Sequence, residues 1–181
     1  SVLNAGGIII FPTDTAFGIG CRIDKTDAVD RVFAVRKRPA TQALPVLVSG
    51  MAAALPFYQQ PSDIVRRLMT TYWPGALTIV ARCKKELIYS PIRGAGETVG
   101  MRHPKHEILQ QILLGVEVPI VGPSANIHGE ATPYRFEDLN PELTSKVDFV
   151  VPGTCPVGNV STVVDRTVSP YRIIRQGAIL L

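Results

Sequence analysis

Cysteine is scarce in this sequence: Cys21, Cys83 and Cys155 are the only three, an odd number spread over 181 residues. That excludes a disulfide framework and a cysteine-based zinc site, and it predicts a reducing, cytoplasmic setting. Histidine is as rare. His103 and His106 stand three apart around Lys105 with no third ligand evident, so they read as a solvated helix start rather than a metal site. No apolar run approaches the roughly 20 residues a membrane helix needs, and no secretory leader pattern is visible. A P-loop is excluded because G-x-x-x-x-G-K-[ST] does not occur, and Gly94, Gly96 and Gly100 miss the G-x-G-x-x-G spacing by one residue. There is no G-x-S-x-G elbow for a serine nucleophile. Aromatic residues are few and scattered (Phe57–Tyr58, Tyr72–Trp73, Tyr134), unlike the stacking platform of a single-strand RNA binder.

What remains is an ordinary globular composition. Hydrophobic residues make up 46%, enough for a packed core, and the length suits one domain over residues 1–181. A net charge of +4 and a pI near 9.1 are mildly basic and favour an anionic partner such as a nucleotide or RNA. The chain opens on Ser1 rather than Met, so a few residues are expected to have preceded it. No repeat or flexible linker divides it. Its 15 glycines and 15 prolines are dispersed, which predicts many short elements joined by tight turns.

The apolar run Ile8–Phe11 reads as a buried strand, followed by a second at 17–21. Residues 24–35 read as a helix with Val29, Val32 and Phe33 on one face and Thr26 or Asp27 as cap. A strand is expected at 44–48. Ser62 caps a helix carrying Ile64, Val65, Leu68 and Tyr72, which Pro74–Gly75 ends. Strands follow at 76–81 and 98–102. Pro104 suits the first turn of a helix bearing Ile108, Leu109, Ile112 and Leu113. Further strands are expected at 119–122, 148–151, 162–164, 171–174 and 179–181. Helices and strands interspersed without strict alternation predict an α/β fold with a mixed sheet.

Five polar clusters sit at the ends of these elements. The first strand stops at Pro12-Thr13-Asp14-Thr15, which is either a turn or a ligand site beyond a strand end. Arg36-Lys37-Arg38-Pro39 is a run of cations that either binds phosphate or carboxylate or complements a helix dipole. Gly122-Pro123-Ser124-Ala125-Asn126 offers a hydroxyl and an amide to a ligand, or a helix cap. Alternation puts Thr98, Gly100 and Arg102 on one sheet face, where Arg102 needs either an internal partner or an anionic ligand. The last cluster is Ser161-Thr162-Val163-Val164-Asp165 with Arg175-Gln176-Gly177 behind it.

In this order, together with Trp73-Pro74-Gly75-Ala76-Leu77-Thr78, the clusters resemble the YrdC family of threonylcarbamoyl-AMP synthases, from Gly6 to about Ile179. The resemblance implies a twisted, curved mixed sheet, with helices packed around it, enclosing a large basic concave cavity. It implies a nucleotidyltransferase that joins L-threonine, bicarbonate and ATP, with magnesium on the phosphates. The products would be threonylcarbamoyladenylate and pyrophosphate, the first step toward threonylcarbamoyladenosine at tRNA position 37. Separate proteins would then transfer the group to tRNA. Carried over by motif, Arg36 and Arg38 are the catalytic cations. Thr15, Arg102, Gly122 and Ser161 hold threonine, with Arg102 facing its carboxylate. Arg38, Gln42, Thr98, Ser124, Asn126, Thr132 and Arg175 surround the nucleotide, and no protein residue is assigned to metal.

The chain departs from the family pattern twice. Arg36-Lys37-Arg38 replaces the usual Lys-x-Arg, which keeps the charge in a larger side chain and leaves Lys37 as a second cation should the helix end differently. Leu47 stands where some members carry a histidine. With Leu181 as its last residue, the chain is expected to be the single-domain type with a more open site. The alternative from the same resemblance is a non-catalytic relative that binds double-stranded RNA or tRNA in the basic cavity.

Overall fold

The computed structural model describes all 181 residues. Along the chain lie β1 (Ile9–Phe11), β2 (Gly18–Gly20), α1 (Thr26–Val35), β3 (Val46–Leu47), α2 (Met51–Ala54), α3 (Asp63–Tyr72) and β4 (Leu77–Arg82). Then come β5 (Thr98–Arg102), α4 (Glu107–Val116), β6 (Ile120–Val121), α5 (Pro141–Thr144), β7 (Phe149–Val150), β8 (Thr162–Asp165) and β9 (Arg172–Arg175). The strands form a three-stranded sheet in the order β2-β1-β7 and a six-stranded sheet in the order β6-β3-β5-β4-β8-β9. Both mix parallel and antiparallel pairs, as the interspersed helices predicted.

The two sheets are not independent. Ile19 N donates to Pro123 O at 2.9 Å and Ala125 N to Phe17 O at 2.8 Å, and bridges join Gly18 to Ser124 and Arg22 to Ile120. The segment 119–125 therefore belongs to both, and the strand ends of one sheet face the strands of the other. Side-chain alternation sorts the larger sheet. Leu77, Ile79, Ala81, Val99, Met101 and Val164 point into the main core, each large side chain contributing roughly 1.5–3 kcal/mol by leaving water. The alternate residues Thr78, Val80, Thr98, Gly100 and Arg102 face a cleft on the other side.

Helices close the core face. Ala28, Val29, Val32 and Phe33 of α1 and Val65 and Met69 of α3 are buried there. Leu109, Leu113 and Val116 of α4 pack with Ile9, Phe11, Leu47 and Ile120 in a second, smaller cluster. Ser62 caps α3 by accepting from Val65 N at 3.4 Å, as expected. Three local expectations fail. Neither Thr26 nor Asp27 caps α1, because the helix begins one residue earlier in register, with Lys25 as an N-cap that makes no side-chain bond. Pro104 lies ahead of α4, whose cap is His106, its Nδ1 accepting from Leu109 N; Ile108 is then exposed. Residues 179–181 form no strand. Thr162 Oγ1 instead accepts from Ile179 N at 3.1 Å and donates to Ile179 O at 2.6 Å, which satisfies that backbone without a ladder.

Candidate active site: an arginine-lined cleft

The run after β1 is both a turn and part of a site. Thr13 Oγ1 accepts from Thr15 N (3.0 Å) and Ala16 N (3.1 Å) and donates to Ala16 O (2.7 Å). This side-chain turn sets Asp14 and Thr15 against β5. There Arg102 donates from Nε to Gly75 O at 3.0 Å and from Nη1 to Thr15 Oγ1 at 2.8 Å, and Nη2 pairs with Asp14. The internal partner that Arg102 required is therefore Asp14. Three of its five N–H donors are spent, which leaves one each on Nη1 and Nη2. Burial pushes the Arg102 guanidinium below its usual pKa, and Asp14 opposes the shift.

Arg102 forms part of a cleft of about 470 Å³, in the size range of small-molecule sites. Its charged lining residues are four arginines, Arg36, Arg38, Arg102 and Arg175, with no aspartate or glutamate among them. Three of the four share one arrangement. Arg36 gives Nε to Asn126 O (3.0 Å) and Nη2 to Asn126 Oδ1 (3.4 Å). Arg38 gives Nε to Gln42 O (3.2 Å) and Nη2 to Ala43 O (3.0 Å). Arg175 gives Nε to Ser161 O (3.0 Å) and Nη2 to Ser161 Oγ (2.9 Å). In each, one edge of the guanidinium is clamped to neutral oxygens and Nη1 makes no protein bond. Arg36 Nη1 is fully buried without a partner. Burial and then the neighbouring Arg38 hold the Arg36 pKa down to about 10, and burial lowers Arg38 and Arg175 as well. Arg36, 2% exposed, is a buried cation without a counter-ion, which is costly. An anion in the cleft would relieve that cost.

The end of α1 explains the alternation of the basic run. Arg36 is its C-cap, and Lys37 takes a left-handed φ of 51°. Lys37 thus turns away from the cleft and pairs with Glu142 at 3.0 Å. Arg36 and Arg38 point inward, so Lys37 does not substitute for the family lysine.

Of the residues expected at the site, Thr15, Arg36, Arg38, Thr98, Arg102, Gly122, Ser124, Thr132, Ser161 and Arg175 all line the cleft. Gln42 and Asn126 do not. Gln42 is exposed, supplies its backbone carbonyl to Arg38 and brings its side-chain amide within 3.5 Å of His128 Nε2. Asn126 is buried behind Arg36 and Ser124. Sequence reasoning missed Thr78, which lines the cleft with its hydroxyl 3.0 Å from that of Ser161; its alternation with Val80 on β4 was the available signal. Leu47 lines the cleft beside Gly122. Magnesium would find no carboxylate on these walls, and no group of three metal-ligating side chains occurs in the chain. The cleft fits a magnesium ion only as one carried on phosphate oxygens.

The family model Sua5/YciO/YrdC, described as "Telomere recombination", matches residues 1–177. The threonylcarbamoyl-AMP synthase of Pyrococcus abyssi is 31% identical over 180 residues. The match covers 99% of this chain and 53% of that protein, so the chain spans about half the length of this curated relative. YciO of Escherichia coli, described as uncharacterized, is 27% identical, with 97% of this chain and 85% of that protein covered. The crystal structure of P. abyssi Sua5 complexed with L-threonine superposes with a TM-score of 0.92 at 30% identity, over 97% of this chain and 52% of that one. With the family model matched along nearly its whole length and the fold shared to this degree, the chain belongs to the Sua5/YciO/YrdC family.

Proposed function

We propose that the chain makes L-threonylcarbamoyladenylate from L-threonine, bicarbonate and ATP, releasing pyrophosphate for the tRNA position-37 pathway. The observation that carries this reading is the cleft with four arginines and no carboxylate, because bicarbonate, ATP, the carbamate, the adenylate and pyrophosphate are all anionic and threonine presents a carboxylate. Relatives named as threonylcarbamoyl-AMP synthases and a related structure holding L-threonine support the choice of substrate. Magnesium would arrive with ATP and help neutralise its phosphates.

The chemistry asks for alignment and charge neutralisation more than for a dedicated acid–base pair. The threonine ammonium first loses a proton to solvent. The free amine then attacks the bicarbonate carbon; an N–C bond forms as the C–OH bond breaks, and the hydroxide leaves as water with a proton from the nitrogen, giving a carbamate. A carbamate oxygen then attacks the α-phosphorus of ATP. The new O–P bond forms as the bond to the β-phosphate oxygen breaks, and pyrophosphate leaves with the electron pair. The spare N–H groups of Arg102, beside Thr15, suit the threonine carboxylate. Arg36 and Arg38, already clamped on one edge, suit the phosphates and the leaving group. Guanidiniums held by neutral oxygens need no rearrangement when charge develops, which is what preorganised stabilisation requires.

The test is pyrophosphate release from ATP with magnesium, with and without L-threonine and bicarbonate. Release that needs both, and that Arg102→Ala abolishes, is the expected result. ATP binding with no threonine-dependent release would overturn the reading in favour of another acceptor. Failure to bind ATP, together with salt-sensitive binding of double-stranded RNA, would overturn it in favour of an RNA-binding role.

A further inference from the structure

We propose that Asn126 is a positioning residue for the cleft's cations rather than a ligand of the nucleotide, and that it acts through Arg36. The proposal rests on reading the cleft as a polyphosphate site. Asn126 is 8% exposed and does not line the cleft. Its side-chain amide is already occupied on both sides. Nδ2 donates to Ile127 O at 3.2 Å and Glu130 O at 2.8 Å. Oδ1 accepts from Ser124 Oγ at 2.5 Å and from Arg36 Nη2 at 3.4 Å. This amide orientation is the one that works, since a flip would set N–H against the Arg36 Nη2 donor and an oxygen against two carbonyls. The backbone carbonyl of Asn126 takes Arg36 Nε, so one residue grips a whole edge of the guanidinium.

That grip has a consequence for Arg36. The side chain is 2% exposed, faces no carboxylate, and leaves Nη1 with no acceptor. A neutral amide holds the cation without cancelling its charge. The hydroxyl of Ser124, which does line the cleft, is fixed by the same Oδ1. Asn126 thus sets two cleft groups at once while itself remaining behind them.

Inorganic triphosphate, without metal, is the probe, and its affinity is measured by titration calorimetry at fixed low salt. Asn126→Ala should weaken binding about tenfold, the scale of one lost hydrogen bond to a charged group. Arg36→Ala should weaken it at least as much, and the double variant should lose clearly less than the product of the two single losses, the remainder being what Asn126 does through Ser124. Combined with Arg175→Ala, which Asn126 does not touch, the losses should multiply. A general structural defect would not couple to one arginine and spare the other. Multiplying losses for Asn126 with Arg36 would overturn the proposal and leave the polyphosphate reading standing. If the unaltered protein fails to bind triphosphate, both fall. Should Asn126→Ala not fold, Asn126→Asp decides: nearly isosteric, it sets a carboxylate against Arg36 and should lose more than tenfold. Binding by Asn126→Asp equal to the unaltered protein would overturn the proposal.

Discussion

Arg102 and Asp14 form an ion pair that is closed to solvent from both sides, with 7% and 5% of their side chains exposed. β5 supplies the cation and the turn after β1 supplies the carboxylate, so the pair ties the smaller sheet to the larger beneath the cleft. Breaking such a pair strands a buried charge, at a cost of roughly 3–5 kcal/mol. Asp14→Ala should therefore lower the unfolding free energy by that order in urea titrations. Asp14→Asn, which keeps an oxygen for Nη2, should lose less. A loss below about 1 kcal/mol for Asp14→Ala would place the pair in the class of solvent-screened bridges.

Gly122 and Leu47 meet just as closely, without charge. A Cβ added to Gly122 would lie 2.3 Å from Leu47 Cδ1 and 2.4 Å from its Cγ, and Leu47 is packed into the cluster under α4. Gly122→Ala should overpack this contact and cost about 1–3 kcal/mol, read as a lower melting temperature. Because the clash is with a side chain, Leu47→Ala in the same molecule should return part of that loss. Strict additivity of the two substitutions would instead locate the restriction in the backbone at Gly122.

Much of this was legible in the sequence. Apolar runs and their period located most strands, and the alternation Thr98-Gly100-Arg102 put three residues on the cleft wall where the structure has them. The basic run was ambiguous for a physical reason: one left-handed residue, Lys37, decides which cations point inward, and no period encodes that. The roles of Asp14 and Asn126 were illegible because their partners are Arg102, 88 residues away, and Arg36, 90 residues away. The four-residue helices α2 and α5 are too short to show a helical period at all.

His103 follows Arg102 and has its Nε2 buried without a partner. Burial lowers its pKa below the ordinary 6.5, against a smaller upward pull from Asp14. The unfolded chain then binds this proton more tightly than the folded one. Stability from His103 is full above the unfolded value and is lost as pH falls through it toward the folded pKa. Melting temperatures taken from pH 7.5 downward should fall below about pH 6.5. His103→Asn should reduce that slope; an unchanged slope would assign the acid sensitivity to other groups.

Ser161 is the hub of the opposite wall. Its hydroxyl lies 3.0 Å from Thr78 Oγ1 and accepts from Arg175 Nη2 at 2.9 Å, while its carbonyl takes Arg175 Nε. Ser161→Ala removes the hydroxyl but keeps the carbonyl, so Arg175 stays tethered at one point and gains freedom at the other. The folding cost should be modest, about 1 kcal/mol for a neutral hydrogen bond lost at a partly polar site. The effect on ligands should be larger, because a loosened guanidinium must be ordered again on binding. With Ser161 on the threonine side of the cleft and Arg175 on the nucleotide side, thermal-shift titrations of Ser161→Ala should show about tenfold weaker L-threonine binding and a smaller loss of ATP binding through the loosened Arg175. Loss of ATP binding with L-threonine binding unchanged would move Ser161 to the nucleotide beside Arg175, leaving Thr15 and Arg102 to hold the amino acid.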